Sequence, residues 1–206
     1  MQSHGVDEAS CKRMNVILAD YNLRVLEVAT MPNIFLTWAM FQGFATCNDL
    51  EATPSLRDDF LARLDSLRVS VSAMSGGWSS RFQQLLLSKI DFAKTTTILI
   101  LASETIYSPD NIEPFTRVIM SILQAAKGHG KPARALVAAK RIYFGVGGGI
   151  DDFLVTLARL DGYGQLVWQS KDAGVGRAII EVTMANTKFS RGVHEDNHVT
   201  GPPKYG

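Results

Sequence analysis

Apolar residues in this chain fall into runs of two kinds: short unbroken ones, and longer ones with helical spacing. Asn15-Val-Ile-Leu-Ala-Asp20 is of the first kind. A short apolar run without polar alternation fits a strand buried on both faces of a parallel sheet. Leu23–Val28 reads as a turn or two of helix, stopped at Thr30-Met-Pro-Asn33 because proline suits a first turn and not a helix interior. Asn33–Phe41 restarts it. Residues 42–57, with Gly43, Asn48, Asp49, Thr53, Pro54 and Ser55, break any period and read as an insertion. A short amphipathic helix is expected within Arg57–Leu64. Alternating β-branched residues predict a strand over Leu67–Ala73. A turn at Ser75-Gly-Gly-Trp78 and a helix over Arg81–Lys89 follow.

Thr95–Ala102 is β-branched and apolar, which predicts another buried strand. Asp110 has the chemistry of a helix N-cap, with Glu113 at capping-box spacing. Ile112, Phe115, Val118, Ile119, Ile122, Leu123 and Ala126 then keep helical spacing until Gly128 and Gly130. Ala133–Ala139 is a further buried strand running on to Lys140–Gly145. Asp151 or Asp152 starts a helix through about Leu160. Tyr163–Ser170 and Gly176–Met184 read as closing strands, antiparallel because Lys171–Val175 is a short connection. Residues 1–14 read as irregular, 15–185 as one domain and 186–206 as a loose tail. Strands alternating with helices predict an α/β fold, a mostly parallel sheet with helices on both faces. Ligands of such sheets sit outside the carboxyl ends of the strands.

Composition narrows the class without naming a chemistry. The 206 residues are 46% hydrophobic and 20% charged, with a net charge of +1. That excludes disorder as the main theme and gives no bulk drive toward nucleic acid or anionic membrane. The longest apolar stretch, around Ile98–Ala102, is far below the ~18 residues of a membrane helix. Cys11 and Cys47 are too few for a disulfide framework, and no Cys/His spacing reads as a metal site, His194 and His198 included. A reducing intracellular compartment, cytoplasmic or nuclear, is the expectation.

Four strand ends carry the candidate chemistry. Asp20 can accept hydrogen bonds from vicinal ribose hydroxyls, or serve as a turn or cap aspartate. Tyr21 and Asn22 can line an adenosine pocket or be turn residues. Gly76 and Gly77 let backbone approach a ligand, and Trp78 offers an indole for stacking; a Gly-rich turn with a core Trp reads equally well. Ser103 and Glu104 end the next strand, where a carboxylate can bind a cation or take a proton, or lie in a solvated helix-entry loop. Gly145-Val-Gly-Gly-Gly149 fails the dinucleotide fingerprint at its sixth position, Ile150, and lacks the Lys-Ser/Thr of a phosphate loop. It suits a Gly-rich loop admitting a substrate, or a structural turn.

Several of these segments together resemble one family. Ala19-Asp-Tyr-Asn22 with Val25-Leu26 and Thr30-Met-Pro-Asn33, then Ser103-Glu-Thr-Ile-Tyr-Ser-Pro109, Tyr143-Phe-Gly-Val-Gly-Gly-Gly149 and Ile179-Ile-Glu-Val-Thr183, look like the protein-histidine methyltransferases. These are seven-strand, Rossmann-like enzymes dependent on S-adenosyl-L-methionine. The resemblance spans about Asn15–Met184. It implies that Asp20, Tyr21, Asn22, Gly76, Gly77 and Trp78 face the adenosine, with Gly77 replacing the family's usual acid. Ser103 and Glu104 would lie near the methyl group. Tyr107, Tyr143, Gly145, Gly147 and Gly148 would border the substrate entrance. Glu104 or Asp151 would orient the target imidazole, which belongs to a histidine of another protein, with a ribosomal protein as the family precedent. The family's first strand and glycine-rich loop find no counterpart in Met1–Met14. The expectation is therefore a truncated sheet whose second and fourth strands lack their shared partner and face a gap of two strand spacings, roughly 9.6 Å, or collapse together, with a partner supplying the missing strand as the alternative. A noncatalytic interaction module on the same fold and a different nucleotide-binding α/β protein are the alternatives.

Overall fold

The computed structural model describes residues 13–44, 50–145, 147–170 and 176–185. The proposed irregular N-terminus up to Met14, the tail from Asn186, Cys11, Cys47, His4, His194 and His198 fall wholly or almost wholly outside them. The chain divides into two compact units, Met1–Ile90 and Asp91–Gly206.

The first unit holds strand β1 (Met14–Asp20), a helical run, helix α3 (Pro54–Ser66), strand β2 (Val69–Ser75) and helix α4 (Ser80–Ser88). β1 and β2 pair in parallel, Met14 opposite Val69 and Asp20 opposite Ser75. The run after β1 does not stop at Pro32 as expected. Helix α1 (Leu23–Val25) passes through a π-helical turn, Leu26–Thr30, straight into α2 (Met31–Phe41). The widened turn lies immediately ahead of Pro32, where a proline ring would otherwise crowd the preceding turn, and the Thr30 hydroxyl donates to the Val25 carbonyl at 3.3 Å. The expected insertion ends earlier than 57. Thr53 caps α3 by accepting the Leu56 N–H, and Pro54 takes the first helical position. The helix therefore runs on to Ser66 and displaces β2 two residues C-terminal to its expected start. Phe35, Trp38, Phe44 and Phe60 form an aromatic cluster beside the buried Leu26 and Ala39.

The second unit carries β3 (Ile98–Ser103), α5 (Pro109–Gly128), β4 (Ala133–Lys140), α6 (Ile150–Arg159), β5 (Gly162–Gln169) and β6 (Arg177–Met184). Its sheet has the order β3-β4-β6-β5: β3 and β4 are parallel, and β6 is antiparallel to both neighbours, as the short connection predicted. Among the described residues β1 bonds only to β2 and β3 only to β4, so the two ladders are separate and each has an unpaired edge.

The second unit's core lies on one face of that sheet. Ala135, Val137 and Ala139 of β4 stand beside Val182, Ile180 and Ala178 of β6, all buried. α5, with Phe115, Ile119, Ile122 and Leu123 buried, covers them, and α6, with Phe153 and Leu157 buried, packs on β5 and α5. Gly162 and Gly164 of β5 lie directly under Leu157, Leu154 and Met120, where a Cβ would meet these side chains. Asp110 is not the N-cap of α5. Ser108 takes that position and Pro109 the first turn, while Glu113 pairs instead with Arg117 one turn on, at 2.7 Å. No described helix is long and apolar enough to cross a membrane.

Phe153 is fully buried and Val155, two residues on, is 62% exposed. Phe153→Ala should cost about 3–5 kcal/mol of unfolding free energy and Val155→Ala about 0.5 kcal/mol or less, read from urea midpoints at constant slope.

Candidate functional site

In the first unit the chemistry gathers where β1 and β2 end together. Asp20 and Ser75 are opposite each other, and the Gly76 N–H donates to the Asp20 carbonyl at 3.1 Å, extending the ladder by one bond. Gly76 then turns with φ 145°, a conformation that favours glycine. The Tyr21 ring lies over Gly77, 3.3 Å from where a Cβ would stand. One oxygen of the half-buried Asp20, Oδ1, accepts the Asn22 N–H at 2.7 Å. Asn22 in turn caps α1 by accepting the Arg24 N–H at 2.9 Å. Both residues thus have the turn chemistry that the sequence left open, and Asp20 keeps Oδ2 as an acceptor. Trp78 packs edge-on against Phe82, with ring centroids 5.1 Å apart, and is half-buried. Asp20, Tyr21, Gly76 and Gly77 are therefore brought together, with Asn22 and Trp78 serving local structure beside them.

In the second unit the chemistry gathers where β3 and β4 end. The Glu104 N–H still pairs with Ala138 of β4 at 3.0 Å. Glu104 then takes φ 55°, left-handed and costly for a residue with a Cβ. That kink turns Thr105-Ile-Tyr107 away from the strand and plants Ile106, fully buried. The Glu104 carboxylate meets Tyr143, whose hydroxyl donates to Oε2 at 2.9 Å and accepts the Lys140 backbone N–H at 3.1 Å. The Tyr107 and Tyr143 rings meet edge to face at 6.4 Å, and the Lys140 ammonium lies 5.5 Å from the Tyr143 ring centre. Burial pushes the Tyr143 phenol above its ordinary range, and the bond to the Glu104 carboxylate adds to the rise against the opposing Lys140 N–H.

The glycine loop closes this arrangement. Ile142 bridges to Gly149, the Ile150 N–H donates to the Arg141 carbonyl at 3.3 Å, and the Gly147 N–H donates to Tyr143 at 3.2 Å. A Cβ on Gly148 would stand 2.9 Å from the carbonyl oxygens of Ile106 and Tyr107, and one on Gly149 would strike the Arg141 carbonyl. Gly147 packs on Pro109. The loop lies against the Glu104–Tyr107 segment because those positions lack side chains. Gly145, also at positive φ, has open space around it.

Ser103 is exposed at the end of β3, and its side chain has no hydrogen-bond partner among the described residues. Asp151 is exposed on the first turn of α6 and makes no hydrogen bond to Glu104. The sequence reading missed Lys140, whose backbone N–H fixes Tyr143. The signal was present: a strand-end residue three positions ahead of a tyrosine in a tight loop. It also missed Thr105, whose Oγ1 is buried without a partner among the described residues.

Comparison with known proteins bears out the resemblance. The chain is 34% identical over 161 residues to Histidine protein methyltransferase 1 of Saccharomyces cerevisiae, covering 69% of this chain and 41% of that protein. It is 31% identical over 171 residues to Histidine protein methyltransferase 1 of Schizosaccharomyces pombe, covering 80% and 48%. The Bos taurus homolog is 30% identical over 164 residues, covering 80% and 41%. The chain is a relative of the histidine protein methyltransferases and spans less than half the length of those it matches. No protein-family model matches it. Two crystal structures of a Streptococcus pneumoniae protein described as a tRNA (m1A22) methyltransferase superpose with TM-scores of 0.31 and 0.33, at 14% and 15% identity. They cover 89% of this chain and 70% and 72% of theirs, and the second is in complex with S-adenosyl-L-methionine.

Gly148→Ala should destabilise the protein more than Gly145→Ala. Both sit near φ 79°, but only Gly148 has backbone oxygens in the way. Thermal melts of the two variants should place Gly148→Ala lower; equal melts would mean the loop does not rest on the Glu104–Tyr107 segment.

Proposed function

We propose that this chain serves the transfer of a methyl group from S-adenosyl-L-methionine to a histidine imidazole of a protein substrate. The observation that carries the reading is the 34% identity to a named histidine protein methyltransferase, which coincides with a carboxylate held by a tyrosine at a strand end. A ribosomal protein is the first substrate to test, and the cytoplasm or nucleus the compartment.

The residues present fit the cofactor's adenosine end. Asp20 Oδ2 is an acceptor at a parallel strand end, free of the Asn22 bond, and suits a ribose hydroxyl. Gly76 and Gly77 place backbone beside it, and the Tyr21 ring that lies over Gly77 supplies a ring face. When bound, S-adenosyl-L-methionine supplies an electrophilic methyl on a positively charged sulfur. The chain's own task is to hold the acceptor ring in line and unprotonated. A free imidazole has a pKa of ~6.5, so its neutral form prevails above pH 7. Glu104 accepts the N–H of one ring nitrogen, which leaves the lone pair on the other. Ser103 stands beside Glu104 at the strand end. Tyr107 and Gly145, Gly147 and Gly148 border the incoming segment, and Asp151 is the second carboxylate available to its polar groups.

Calorimetric titration of the 206-residue chain with S-adenosyl-L-methionine tests the cofactor assignment. Binding is expected, weakened about tenfold or more by Asp20→Asn, which keeps an acceptor for the Asn22 N–H but removes the charge. A cooperatively folded sample that takes up no cofactor would favour the noncatalytic interaction module instead.

A further inference from the structure

A carboxylate that merely lies near a histidine can accept from either nitrogen's N–H, from either of its own oxygens, and in several rotamers. Glu104 has less freedom. Its backbone is pinned by the bond to Ala138 and by φ 55°, and its Oε2 is occupied by the Tyr143 hydroxyl. That hydroxyl cannot turn away, because its own acceptor side takes the Lys140 N–H. The ring beneath it is buried, 9% exposed, and held edge-on by Tyr107. Oε1 has no hydrogen-bond partner among the described residues, so the bond at Oε2 fixes the carboxylate's orientation and leaves Oε1 open to a further donor.

We propose that Tyr143 is a positioning residue that acts through Glu104: by holding Oε2 it fixes the plane and direction of the carboxylate that accepts one imidazole N–H, and so limits attack to one ring nitrogen. The inference rests on the histidine reading above and deepens it. With Glu104 holding the N–H of one nitrogen, the other nitrogen's lone pair attacks the methyl carbon, the carbon–sulfur bond breaks toward sulfur, and the ring is left as an imidazolium. Glu104 then faces a cation, and the extra proton passes to water. Tyr143 exchanges no proton and stays a phenol throughout. The charged and titratable groups around it are Glu104, the Lys140 ammonium over its ring, Tyr107 and, at longer range, Arg177.

The test uses the full chain and Tyr143→Phe, which keeps the ring contacts and removes only the hydroxyl, with Glu104→Gln and the double variant. Products are separated as the two methylhistidine isomers after digestion. The wild-type protein should give one isomer. Tyr143→Phe should lower kcat about tenfold, leave KM for S-adenosyl-L-methionine unchanged and yield both isomers. In the Glu104→Gln background the further Tyr143→Phe change should have little effect, because the two act as a unit. A single isomer at an unchanged ratio from Tyr143→Phe, or additive losses in the double variant, would overturn the proposal. A readout without turnover stands beside these. The Tyr143 phenol, isolated as the difference from Tyr143→Phe in tyrosinate absorbance, should titrate at lower pH in Glu104→Gln, and an unchanged titration would overturn the proposal. Failure of the wild-type chain to methylate any histidine would instead refute the functional reading, with the titration still deciding the Tyr143–Glu104 contact.

Discussion

The candidate site depends on one strained backbone position. Glu104 leaves β3 with its N–H still in the sheet and its φ at 55°, at a cost of about 1 kcal/mol or more for a side chain with a Cβ. Without that kink the chain would continue as strand, and Ile106 would not reach its buried seat. The carboxylate would also not turn toward Tyr143. Strain of this kind persists only where the surroundings fix it, and here three things do: the Ala138 bond, the burial of Ile106 and the Tyr143 hydroxyl.

The glycine loop is the other half of the same constraint. A loop that must lie against the Ile106 and Tyr107 carbonyls has no room for side chains at Gly148 and Gly149, and must adopt positive φ from Gly147 to Gly149. Gly147, Gly148 and Gly149 are therefore explained by close approach, and no phosphate is needed to explain them. The same loop carries Tyr143 at its start, between the strand end that fixes the tyrosine's acceptor side and the segment that accepts its hydrogen bond. Fold, loop and carboxylate form a chain of contacts inside the second unit, beneath which α5 and α6 pack on β4, β6 and β5.

Much of this was legible in the sequence. Strands showed as apolar runs, and β1, β4, β5 and β6 stand within about two residues of where the pattern put them. But β1 and β3 carry no buried residue and Leu99 and Leu101 are exposed, so these two are not the buried strands the runs predicted. The errors have local causes. Thr95–Thr97 have strand propensity, yet Asp91 takes both the Thr95 N–H and its hydroxyl through its backbone carbonyl, and bonds Ala93 and Lys94 through its side chain. That loop delays β3 to Ile98. Pro32 suggested a helix stop because a π turn leaves no mark in composition. Asp110 looked like a cap because Ser108 before a proline is an equally good helix start. At the site, residue types pointed to Glu104, Tyr107 and Tyr143 separately. Their joining through a single hydroxyl, with Lys140 behind it, needed the fold, since Glu104 and Tyr143 are 39 positions apart.

The central claim, methyl transfer to a histidine imidazole, is tested most directly by mass spectrometry of a ribosomal protein fraction incubated with this chain and isotopically labelled S-adenosyl-L-methionine. The account predicts the labelled methyl group on a histidine ring nitrogen and on no other residue type. Label on lysine, arginine or a carboxylate, or no label from a folded chain that binds the cofactor, would contradict it.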